Sequence, residues 1–70
     1  MTFNEKAQKA RSLYNEHRKE YQFYSKARQR GFCRRCHNLF KHIDPNNSND
    51  LVACMFLDAI ATRVGFEYDR

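Results

Sequence analysis

Apolar residues recur through most of this chain at the three- and four-residue steps of a helix, and no stretch alternates as a strand would. The densest run is Leu51 to Val64, LVACMFLDAIATRV, in which Asp58 and Thr62 share a narrow polar sector. At 100° per residue its apolar side chains sweep more than half of the circumference, so this helix needs cover from at least two sides. Asp50 is placed to cap its first free N–H groups. Arg63 suits its negative end, and Gly65 can take the left-handed closing conformation.

Upstream, Phe3, Ala7, Ala10, Tyr14, His17, Tyr21 and Tyr24 recur at alternating steps of four and three. This stripe predicts a first helix over residues 3–30, opened by a Thr2-to-Glu5 capping box and ended by Gly31. Unbroken, such a helix is ~40 Å long, more than a chain of this size needs. Phe23 and Ala27 fall off the stripe, so a bend near Gln22 to Ser25 is expected, unless the excess length packs on a second protein. Residues 32–43 predict a second helix: Phe32, Cys36, Leu39, Phe40 and Ile43 lie on one face, with Arg34, Arg35 and Lys41 on the other. Residues 44–49 are the only clear loop, since Pro45 and the Asn and Ser side chains favour turns. A short tail follows at 65–70. The expected fold is all-α: one three-helix domain spanning 1–70, with a long N-terminal helix, a short second helix and an apolar, central C-terminal helix over 50–64.

Composition adds two constraints. A 70-residue chain buries a modest share of its surface, so a metal, a disulfide or a second copy would help it. With no run of ~20 apolar residues and no signal-like N-terminus, no membrane partner and a cytoplasmic location are expected. The net charge of +5 is unevenly spread. Residues 1–43 carry eleven basic and three acidic side chains, residues 44–70 two and five. No carboxylate stands between Glu20 and Asp44, whereas Lys26, Arg28, Arg30, Arg34, Arg35 and Lys41 all do. Such a one-signed segment attracts polyanions and acidic surfaces, and the guanidinium fork suits phosphate.

Three cysteines are an odd number for a disulfide framework. Cys33-Arg34-Arg35-Cys36-His37 satisfies the C-x-x-C spacing of zinc sites and the C-x-x-C-H of haem attachment. The haem reading fails for want of an export signal. Cys33, Cys36 and His37, joined by Cys54, form the alternative set for a structural zinc, with His42 as a substitute only if the Cys33 region is a loop. The reading preferred here has no cofactor, because Cys36 sits in the middle of an apolar face, where reduced cysteine packs as a small hydrophobe. No paired carboxylates, phosphate loop or serine-nucleophile turn is visible, which argues against an enzyme. The seven-residue connection and the apolar third helix do not fit a helix-turn-helix reader.

These features favour a small binding protein whose basic corner contacts nucleic-acid phosphates, in a regulatory role without strong sequence readout. The alternative is an adaptor or inhibitor docking Tyr14, His17, Tyr21, Tyr24 and the same cations on an acidic protein such as a nucleic-acid enzyme. By analogy, small chains of this kind are often encoded by phages or mobile elements. A homodimer through the first helix is compatible with either.

Overall fold

The computed structural model describes residues 1–68. Three α-helices, α1 (Phe3–Lys19), α2 (Lys26–Phe40) and α3 (Leu51–Val64), form an all-α domain. Asp69 and Arg70, the end of the tail expected at 65–70, lie outside the described residues.

Both ends of the fold begin and close as the side chains dictate. The Thr2 hydroxyl accepts from the Glu5 amide at 3.2 Å, although Glu5 takes its return bond from the Thr2 hydroxyl rather than the Thr2 amide. Gly65 closes α3 at φ 76°, and the amides of Gly65 and Phe66 both donate to the Ala61 carbonyl.

The expected helix over 3–30 is instead two helices. α1 stops at Lys19, a 3-10 turn occupies Tyr21–Phe23, Tyr24 is extended, and the Ser25 hydroxyl caps α2 by accepting from the Arg28 amide at 3.3 Å. Gly31 ends nothing: it lies in the interior of α2 on the exposed side, with open space where a Cβ would stand. At its other end α2 stops at Phe40 rather than continuing to residue 43. There the His42 and Ile43 amides make the tighter bonds to Leu39 and Phe40 that close a helix in a 3-10 turn.

The chain reversal sends α2 back along α1, and α3 runs parallel to α1. Lys6 of α1 meets Asp50 just before α3, Tyr14 packs on Phe56 at 5.3 Å between ring centroids, and Arg18 shares a groove with Arg63. The core is Ala10 from α1, Phe32, Cys36, Leu39 and Phe40 from α2, Ile43 from the turn that follows, and Ala53, Leu57 and Ile60 from α3. α3 is thus covered by α1 and α2, yet Leu51, Val52 and Met55 stay more than half exposed. Beyond Gly65, Tyr68 returns over the core, stacking on Phe40 at 4.2 Å and donating its hydroxyl to the Leu57 carbonyl at 2.8 Å.

Asp50, expected to cap α3, makes no side-chain cap bond. Its carboxylate is 2% exposed, accepts from the Asp44 amide at 2.9 Å and pairs with Lys6 at 3.2 Å. The Asp44 amide, and then Lys6, hold it below its ordinary value of 3.8 against the opposing pull of burial. A group depressed in the folded state stabilises the fold above its unfolded pKa, and that stability is lost as pH falls through the folded value. Asp50→Asn is therefore expected to be less stable than the parent at pH 7. The gap should close as pH drops below 3.8, read as urea midpoints across a pH series. Gly31→Ala should raise stability by about 0.5–1 kcal/mol, because an interior helical glycine costs that much relative to alanine. Gly65→Ala should lower it, since L side chains resist that φ. Thermal melts of the two variants check both signs.

Candidate polyanion-binding stripe

The cationic side chains of α2 divide by helical phase. Lys26, Arg30, Arg34 and Lys41, the last at the C-cap, fall within roughly 80° of one another at 100° per residue. All four are exposed, and none makes an ion pair among the described residues. They form a stripe about 22 Å long at 1.5 Å per residue. Arg28 and Arg35 project from the opposite flank, toward α1. The six cations expected to crowd onto one corner are thus four on a stripe and two on the far side.

Those two are held by the chain's own groups. Arg35 makes a two-pronged contact with Glu16 at 2.6 and 3.0 Å. Arg28 lies 4.4 Å over the Tyr24 ring, whose hydroxyl donates to Glu16 at 2.7 Å and to Glu20 at 3.0 Å. The Arg35 hydrogen bond, with help from Tyr24, keeps the Glu16 carboxyl below its ordinary 4.5 despite partial burial. Its hydrogen bond to Glu16 pushes the Tyr24 hydroxyl up to about 12. Arg35 therefore ties α2 to Glu16 of α1, and Arg28 lies over the Tyr24 ring that binds the same carboxylate.

Two features beside the stripe escaped the sequence reading. Phe23, in the turn just before Lys26, is 77% exposed, more than any other large apolar side chain described. Its place off the α1 stripe was the available signal. Next to it, Tyr21, Lys26, Gln29, Arg30 and Cys33 line a shallow cleft at the same end of α2.

The tyrosine face expected to meet a partner is partly engaged within the fold. Tyr14 packs on Phe56, and His17 is buried with Nδ1 2.6 Å from the Tyr14 carbonyl. Tyr21 sets its ring against Phe32 at 5.4 Å, and Tyr24 is bound to Glu16.

Cys33, Cys36, His37 and Cys54 do not come together as zinc ligands: no three His, Cys, Asp or Glu side chains among the described residues are grouped to hold a metal. Cys36 is fully buried, and burial is the main cause that pushes its thiol up to about 12. Cys33 and Cys54 are half-buried, with the Cys54 thiol 3.6 Å from an Asp58 oxygen. No described helix is long and apolar enough to cross a membrane. No protein-family model, curated protein or solved structure matches the chain.

Cys33 and Cys54 should react with a disulfide reagent in the native protein, while Cys36 should wait for unfolding. Stopped-flow labelling at pH 8 is expected to show two early equivalents and one that appears at the unfolding rate. Three early equivalents would mean that the packing around Phe32 and Tyr68 is open.

Proposed function

We propose that this chain is a small non-enzymatic binding protein whose α2 stripe, Lys26, Arg30, Arg34 and Lys41, contacts the phosphates of a nucleic acid. The observation that carries the reading is that these four exposed cations share one helix flank with no carboxylate of the described chain paired to them. Like charges so aligned repel one another, and a polyanion laid along the helix removes that repulsion while releasing its own counterions. The first turn of α2 adds to this, since it holds no acid to compensate the positive helix end beside Lys26.

Phe23 bears on which nucleic acid. An exposed ring in the turn that leads into the cationic helix suits stacking on an unpaired base, the device by which sequence-tolerant single-strand binders add affinity. Single-stranded or locally opened substrate is therefore favoured over intact duplex. The rival use of these cations, docking on an acidic protein with the help of Tyr14, His17, Tyr21 and Tyr24, draws less support, because His17 is buried and the three tyrosines are partly buried in contacts within the fold. We read the role as regulatory, in keeping with a small chain that offers such a track.

Fluorescence anisotropy with a labelled 20-nucleotide single strand tests the reading. Four phosphate contacts imply a log–log salt slope near −3. Arg30→Glu with Arg34→Glu should reduce affinity at least tenfold at 50 mM salt while leaving the fold intact, as both side chains are exposed. Phe23→Ala should weaken single-strand binding more than duplex binding. A salt-independent response, or equal binding by the double variant, would overturn the proposal.

A further inference from the structure

Two shallow hollows flank Tyr21, which is a wall of both. On one side it meets Lys26, Arg30 and Cys33, at the start of the α2 stripe. On the other it meets Gln22, Arg18 from the last turn of α1 and Arg63 from the last turn of α3. No carboxylate of the described chain lines either hollow, and neither Arg18 nor Arg63 makes an ion pair among the described residues. A cation in the last turn of a helix offsets the negative end of the dipole, by about 0.3–1 kcal/mol where exposed. That role accounts for one arginine per helix but not for their meeting in one hollow, and Lys19 is available to it in the same turn of α1. Two guanidinium groups lining one acid-free hollow repel each other until an anion enters it.

We infer that the nucleic-acid track does not end at Lys26: it crosses Tyr21 into the second hollow, where Arg18 and Arg63 bind further phosphates of the same single strand. This inference rests on the nucleic-acid reading of the α2 stripe and extends it to α1 and α3. Continuity carries it, because the hollow that opens the stripe and the hollow that holds the arginines share a residue and carry the same sign of charge. Phe23, 77% exposed in the same turn as Tyr21, stands near the crossing. A base can stack on it while the phosphates on either side enter the two hollows.

The ridge at Tyr21 also selects the form of the ligand. Duplex DNA is stiff over about 150 base pairs, so it can rest along α2 but cannot dip into one hollow and then the next. A single strand turns freely between phosphates and can follow both.

Salt titrations with two strand lengths test the path. A six-nucleotide strand, ~20 Å long when stacked at 3.4 Å per phosphate, matches the α2 stripe alone, whereas a 20-nucleotide strand reaches both hollows. With the longer strand, two added contacts at about −0.7 each should steepen the log–log slope from near −3, which the stripe alone implies, to about −4. Arg18→Gln with Arg63→Gln should return that slope to near −3 and weaken binding at least threefold at 50 mM salt, while changing six-nucleotide and duplex binding less than twofold. Arg18→Lys with Arg63→Lys keeps both charges and should keep the steeper slope, which separates lost contacts from a loosened fold. Bound 20-nucleotide strand should also slow labelling of Cys33, in the first hollow, at least threefold relative to Cys54. An unchanged slope in the glutamine variant, with Arg30→Glu and Arg34→Glu together still impairing binding, would overturn this inference and leave the stripe reading standing. So would an equal loss of duplex binding, or an unprotected Cys33. Salt-independent binding, or tighter binding of polyglutamate than of the strand, would overturn both.

Discussion

The chain reversal between Glu20 and Ser25 is the constraint from which the rest of the structure follows. A helix continuing through these residues would carry Phe32, Cys36, Leu39 and Phe40 away from α3, and α1 offers little to replace them, since its only fully buried apolar residue is Ala10. Folding back brings Phe32 against Tyr21 and seats the apolar face of α2 over Leu57 and Ile60. Full burial of a phenylalanine contributes on the order of 1.5–3 kcal/mol. The Glu16–Arg35 pair is half in water and belongs to a class worth ~0–1 kcal/mol. Burial therefore holds α2 in place, and the ion pair sets its rotation.

That rotation decides where the charges go. Turned so that Phe32 and Cys36 face the core, α2 directs Arg28 and Arg35 to the Tyr24–Glu16 cluster and leaves Lys26, Arg30, Arg34 and Lys41 facing water. Three aspartates are engaged elsewhere. Asp50 binds Lys6, Asp44 organises the turn after α2 by accepting from Asn46, and Asp58 faces Cys54. A carboxylate-free interval in the sequence thus becomes a carboxylate-free flank, because no acid from another segment is folded onto it.

The termini of the structure were readable because local chemistry specifies them. Thr2 as a cap, Gly65 as a left-handed stop and the extent of α3 each need only a few neighbouring residues. The division of the first half was harder to read, because Tyr21 and Tyr24 continue the helical spacing through the turn and pack on the same core from a non-helical backbone. Ser25 caps α2, but no acid follows three residues later to complete the usual pattern, so little in the local sequence marks the new start. Gly31 was misread for the opposite reason. A glycine is tolerated inside a helix at a cost of about 1 kcal/mol when tertiary packing on the far face is strong, as it is beside Phe32. Four of the six candidate cations fall on one surface. Separating them from Arg28 and Arg35 required knowing which flank of α2 meets Glu16.

The length of the helices explains why apolar surface remains on α3. Nine apolar side chains are buried among the described residues, and three bulky ones at the start of α3 are exposed. α2 covers one side of α3, and its last buried contribution, Ile43, comes from the turn leading away from it. α1 covers a second side through Ala10 and His17, which are buried, and Leu13 and Tyr14, which are partly so. The third side, from Leu51 to Met55, has no element left to cover it, since Phe66 and Tyr68 fold back toward the α2 side, where Tyr68 meets Phe40. A chain this short gains too little from burial to leave apolar surface in water without cost. The fold therefore places one incompletely covered apolar surface and one unneutralised cationic surface on different sides of the same bundle.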